Sequence, residues 1–138
     1  MPPQPAAVAP SEPPLAGLRV LVVEDRADLR ELFSVLLGAD GARAVAAGTA
    51  AQAVALLDGP VFDAILTDLG LPDMAGDELI RRVRTVAGRG PAIAVITGYG
   101  EPHVSRALAA GADAVLAKPV RWERVRTFLT ARRLAPIA

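Results

Sequence analysis

At 138 residues, 52% of them hydrophobic, the chain has the length of one domain and enough apolar side chain to bury a core. Its 15 basic and 15 acidic residues cancel, which removes any general electrostatic pull toward nucleic acid or an anionic membrane. It has no cysteine, which excludes a disulfide framework and a thiolate metal site and fits a reducing compartment.

Residues 1–16 hold six of the twelve prolines (Pro2, Pro3, Pro5, Pro10, Pro13 and Pro14) and lack the basic start and apolar stretch of a secretory leader. They are read as a disordered Pro/Ala-rich tail. Residues 17–134 are read as the one folded domain, with a short C-terminal tail at 135–138. No apolar run approaches the roughly 20 residues that span a bilayer, so a soluble, cytoplasmic protein without membrane partners is expected.

From Leu18 the pattern alternates between two periods. Residues 18–23 form a β-branched-rich run and predict a buried strand. Leu29, Leu32, Phe33, Leu36 and Leu37 then recur at helical spacing, an inward stripe closed by Gly38 and Gly41. A weaker strand follows at 43–47. Thr49 is placed to cap a helix carrying Ala53, Leu56 and Leu57 inward. Strands are predicted at 64–67, 92–96 and 114–117. Helices are predicted at 76–86 (Leu79, Ile80 and Val83 inward), at 103–110, and at 121–133 (Val125, Phe128 and Leu129 inward). Five strands alternating with five helices imply an α/β, doubly wound, five-stranded parallel sheet covered on both faces. In such a sheet the ligand site lies at the carboxyl ends of the strands.

Four strand ends carry polar side chains to that edge. Glu24 and Asp25 follow the first strand, Asp68 ends the third, Thr97 the fourth, and Lys118-Pro119 the fifth. Gathered carboxylates repel and raise one another's pKa. A divalent cation and the one lysine, in a chain whose other fourteen basic residues are arginine, can offset that repulsion. Oxygen donors suit Mg²⁺, with Mn²⁺ also admissible, and no His or Cys stands nearby to favour zinc. A carboxylate beside such an ion and an ammonium is a nucleophile suited to phosphorus.

Taken together, Val22-Val23-Glu24-Asp25, the run from Asp68 through Gly70, Pro72 and Asp73 to Gly76, Ile96-Thr97-Gly98-Tyr99, and Ala109-Ala110-Gly111-Ala112-Asp113 leading to Lys118-Pro119 resemble the receiver domain of two-component response regulators. The resemblance runs from Leu18 to Arg133. It implies a flavodoxin-like sheet of strand order 2-1-3-4-5. It implies that Asp68 is the phosphoacceptor, that Asp25 binds Mg²⁺ directly with Glu24 acting mostly through water, and that the Gly70 carbonyl is a further ligand. Lys118 would pair with the phosphoryl group, Thr97 would donate its hydroxyl to it, and the Lys118–Pro119 bond would be cis. Where many receivers carry a rotating Tyr or Phe, this chain has Val115, which leaves Tyr99 as the nearest aromatic to replace it. Tyr99 and Gly70 would also govern access of water to the phospho-aspartate.

The resemblance implies a sensor histidine kinase or histidine phosphotransfer protein as donor. A protein target, or a second copy, would dock on the helix-four, strand-five, helix-five face. With no effector domain after the last helix, a stand-alone module is expected, working by self-catalysed transfer and slow autodephosphorylation. A receiver fragment of a hybrid kinase and a non-phosphorylated pseudo-receiver scaffold are the alternatives. An aspartyl phosphatase needs a second Asp two residues after the nucleophile, where this chain has Gly70. His103 is read as a solvated helix cap, Trp122 as an edge-packing residue, and Arg121, Arg124, Arg126, Arg132 and Arg133 as a solvated face. With the chain neutral, no nucleic-acid partner is expected.

Overall fold

The computed structural model describes residues 12–134. Strands β1 (Arg19–Val23), β2 (Arg43–Ala47), β3 (Ala64–Thr67), β4 (Ala92–Thr97) and β5 (Ala114–Ala117) alternate with helices α1 (Ala27–Ala39), α2 (Ala50–Leu56), α3 (Gly76–Ala87), α4 (His103–Ala110) and α5 (Trp122–Leu134). All strand pairs are parallel, in the order β2-β1-β3-β4-β5. This is the doubly wound sheet the alternation predicts.

Successive residues of a strand point to opposite faces, so a strand covered on both sides must be apolar throughout. β1 does this: Leu21 and Val23 join the core layer beneath α2, α3 and α4, while Val20 and Val22 join the layer beneath α1 and α5. Ile65 and Ile93 extend the first layer, and Leu66 and Ile96 the second. Thr49 caps α2 as predicted, its hydroxyl accepting the Gln52 N–H at 3.1 Å. At the start of α3 the chain passes so close to Leu69 that a Cβ on Gly76 would lie 2.5 Å from the Leu69 Cα, a distance only glycine avoids.

Three expectations differ. The predicted tail boundary at residue 16 falls too late. Leu15 is fully buried, its N–H donates to the Asp40 carbonyl at 2.8 Å, and Arg133 donates to the Ala16 carbonyl at 3.0 Å and to the Glu12 carboxylate. Proline content suggested disorder, but one buried leucine and an arginine reaching back from α5 hold residues 12–16 on the domain. Residues 1–11 and 135–138 lie outside the described residues.

The α1 stripe is narrower than predicted. Phe33 and Leu37 are buried, whereas Leu32 is 50% exposed at the edge of the helix face. The α5 arginines are not uniformly solvated either. Arg126 pairs with Asp40 at 2.9 Å, Arg132 donates to the carbonyls of Asp63 and Gly90, and Arg133 makes the contacts just described. Trp122 packs against Phe33 with ring centroids 6.1 Å apart and donates its indole N–H to Asp40.

Candidate functional site

The sheet's hydrogen-bond ladder continues one residue past the strands, and those residues build the site. The Glu24 N–H donates to the Ala47 carbonyl, the Asp68 N–H to Val23, and the Lys118 N–H to Thr97. The backbones of Glu24, Asp68 and Lys118 are therefore fixed by the register of the sheet rather than by a free loop. One oxygen from each of Glu24, Asp25 and Asp68 lies within 4.8 Å of the others. The Lys118 Nζ stands 3.1 Å from Asp68 Oδ2 and 3.9 Å from Glu24 Oε2. Asp68 Oδ1 accepts the N–H groups of Leu69 at 2.7 Å and Gly70 at 3.2 Å, which sets the plane of the carboxylate.

The charges do not balance: three acids face one ammonium. Glu24 is 3% exposed, and its Oε1 is one of two buried side-chain polar atoms without a hydrogen-bond partner among the described residues. Burial pushes the Glu24 carboxyl above its usual range. The Lys118 charge and the Arg26 N–H pull it down, and the charges of Asp68 and Asp25 push it up further. A buried, unpaired carboxylate oxygen beside two more acids is a costly arrangement for the protein alone. It becomes favourable beside a hard cation. The donor set is entirely oxygen, three carboxylates gathered within 4.8 Å of one another, which is the chemistry a hard cation such as Mg²⁺ takes. The residues therefore fit such an ion.

Thr97 is 1% exposed, and its hydroxyl accepts the N–H of Tyr99 at 3.0 Å. Tyr99 lies over Gly70: a Cβ on that glycine would meet the Tyr99 hydroxyl at 3.1 Å. The Tyr99 ring also stacks on His103 of α4, with centroids 4.8 Å apart. His103 opens α4 as predicted, but the capping position is Pro102 and the imidazole lies against this tyrosine instead. Val115 is half-buried against the first core layer. The Lys118–Pro119 bond is cis, as the resemblance implied, and so is Glu101–Pro102.

Two positioning contacts escaped the sequence. Arg30 of α1 donates to the carbonyls of Glu24 at 2.9 Å and Asp25 at 3.4 Å, holding the acidic turn. Asp73, in the turn between β3 and α3, accepts the first two N–H groups of α2. Neither follows a period or a known spacing; an arginine one turn into the helix after an acidic pair was the only available hint of the first.

The sequence model of the response regulator receiver domain family matches residues 20–130. The chain belongs to this family. Among similar curated proteins, the sensor histidine kinase AruS of Pseudomonas aeruginosa is 41% identical over 131 residues, covering 90% of this chain and 13% of that protein. The response regulator protein PilR of the same organism is 37% identical, covering 84% of this chain and 26% of that protein. The receiver thus spans only a minor part of these relatives. Among solved structures, a CheY-like receiver domain protein from Methanospirillum hungatei superposes with a TM-score of 0.77 at 28% identity, covering 84% of this chain and 96% of that one. The chemotaxis response regulator CheY4 of Vibrio cholerae gives 0.75 at 27% identity, with 83% and 98% covered. Among the described residues of this receiver domain, no helix is long and apolar enough to cross a membrane.

Proposed function

We propose that this receiver takes a phosphoryl group onto Asp68 from a phosphohistidine of a sensor histidine kinase or a histidine phosphotransfer protein. The observation that carries the reading is the under-compensated acidic trio within reach of Lys118, with the Asp68 carboxylate oriented by two backbone N–H groups. Asp25, Asp68 and the Gly70 carbonyl would hold Mg²⁺ or Mn²⁺, with Glu24 acting through water. When bound, the ion neutralises charge on the transferring oxygens.

A carboxylate oxygen of Asp68 attacks phosphorus, the bond from phosphorus to the donor imidazole nitrogen breaks, and that nitrogen keeps the electron pair. Lys118 holds one phosphoryl oxygen as a compact point charge. Thr97 gives up the N–H of Tyr99 and turns its hydroxyl to another oxygen. That turn loosens Tyr99 and, through the ring stack, bears on His103 and α4. With Val115, half-buried against the core, at the usual aromatic's position, Tyr99 takes the part that aromatic would play. The α4-β5-α5 face is thereby shifted between two populations, and a target or a second copy binds one of them better. External substrates are not turned over; slow loss of the phosphoryl group to water resets the module. The neutral charge supports a cytoplasmic protein partner over nucleic acid or membrane.

A second reading shares the same acceptor. The likeness to the sensor histidine kinase AruS supports a receiver that works as one part of a larger kinase. The test is incubation with acetyl phosphate and Mg²⁺ followed by intact mass. One phosphoryl adduct is expected, absent in Asp68→Asn and in chelator. No adduct would favour a scaffold, and multiple turnover of a phosphate ester a phosphatase.

A further inference from the structure

The turn after the phosphoacceptor is tied down from outside. Gly70 and Ala75 form an isolated antiparallel bridge, and the Gly76 N–H donates to the Leu69 carbonyl at 3.2 Å, so residues 70–75 make a closed loop. Leu69 and Leu71 anchor one side of it by burial. Its tip is solvent-exposed, and there Asp73 supplies the anchor. Asp73 Oδ1 accepts the Ala50 N–H at 2.9 Å and Oδ2 accepts the Ala51 N–H at 2.9 Å. A negative charge at a helix N-terminus is favourable, and the two bonds occupy both oxygens in one fixed orientation. Those N–H groups hold the exposed Asp73 carboxyl below its usual range.

The division of labour at α2 is informative. Thr49 already caps the helix from its own chain segment through Gln52. The two donors left over are taken by a carboxylate more than 20 residues away in sequence. A residue needed only to cap α2 could sit beside Thr49. One that reaches across from the loop holding Gly70 fixes that loop against the helix.

We propose that Asp73 is a positioning residue for phosphoryl transfer: by pinning the tip of the 70–75 loop to the first turn of α2, it holds the Gly70 carbonyl, and the Leu69 and Gly70 N–H groups, at the distance Asp68 requires. The part concerning Gly70 as a ligand rests on the function proposed above. Outer partners of metal ligands act in this way, holding donor atoms in place without touching the ion.

The experiment compares Asp73→Asn with Thr49→Ala. Both remove a bond from the start of α2, but only the first releases the loop. Amide hydrogen exchange in metal-free protein reads the loop directly, and a Mg²⁺ titration of the whole chain reads the site. Asp73→Asn is expected to speed exchange at Leu69 and Gly70 and to weaken Mg²⁺ binding about tenfold, the low end for outer partners. Thr49→Ala is expected to speed exchange at Gln52 and leave both other readings at their wild-type values. Unchanged exchange at Leu69 and Gly70 in Asp73→Asn would overturn the proposal, as would an equal loosening of those amides by Thr49→Ala. A wild-type chain that does not bind Mg²⁺ would sink the functional reading while the exchange result still decided the role of Asp73 in the loop.

Discussion

At the N-terminal edge of the sheet, Asp63 accepts the Arg19 N–H at 2.9 Å, and Asp113 accepts the Ile93 N–H at 2.8 Å and the Arg84 guanidinium at 2.9 Å. At the opposite edge Glu24, Asp25 and Asp68 crowd together, the Lys118 ammonium pairs with Glu24 and Asp68, and a buried oxygen of Glu24 has no partner among the described residues. The same residue type thus serves two purposes in one sheet. Acids matched donor for donor close the ends of strands. Acids crowded beyond their donors store unfavourable electrostatics that a cation and an incoming phosphoryl group can relieve. Asp40, at the end of α1, belongs with the matched set, since Trp122 and Arg126 both donate to it. The lesson is that a site is recognised by what its charges lack, and not by how many there are.

The sharpest way to break this contrast is Lys118→Ala. It removes the ammonium that pairs with Asp68 and Glu24, and the rate of adduct formation with acetyl phosphate should fall at least about a hundredfold, as when one group poised on developing charge is deleted. A loss of only a few-fold, followed by mass, would put Lys118 among the merely structural residues.

On the matched side the effect should appear in stability instead. Burial opposes ionisation of Asp40, but the hydrogen bonds from Arg126 and Trp122 and the Arg126 charge outweigh it and hold the carboxyl below its usual 3.8. A depressed folded pKa adds stability above the unfolded value, and that stability is lost as pH falls through the folded one. Asp40→Asn should therefore cost about 2 kcal/mol at neutral pH, the range for hydrogen bonds to a charged group, and the gap to wild type should close in acid. Urea unfolding across the acid range measures this; a gap that widens as pH falls has the wrong sign. Asp113→Ala should cost less, about 1 kcal/mol, because its side chain is 46% exposed, and should leave Mg²⁺ affinity untouched.

The smallest effect belongs to Tyr99, which lies over Gly70. Tyr99→Ala should shorten the lifetime of the phosphorylated form several-fold by opening the site to water. An unchanged decay, timed by loss of the adduct mass, would remove Tyr99 from the account.

Much of this was legible in the residues. The strands announce themselves because a sheet covered on both faces demands continuous apolar runs such as Leu21 to Val23, and the site because parallel strands deliver their C-terminal neighbours to one edge. What was not legible depends on contacts between distant segments. Proline count hid the burial of Leu15, since composition says nothing of one side chain finding a hole. Helical spacing placed Leu32 inward, but the spacing cannot tell how wide a stripe its neighbours cover. Asp73 read as an ordinary turn residue because its partners, the first N–H groups of α2, precede it by more than twenty positions.

The contrast between the two edges is tested most directly by titrating Mg²⁺ into the protein while following each backbone amide by NMR. Saturable shifts are predicted at Glu24, Asp25, Asp68, Leu69 and Gly70, with Asp40, Asp63 and Asp113 unmoved, and the response should vanish in Asp25→Asn. No saturable shift at Asp68 and Gly70, or shifts of equal size at Asp63 and Asp113, would contradict the claim that only the crowded edge requires a cation.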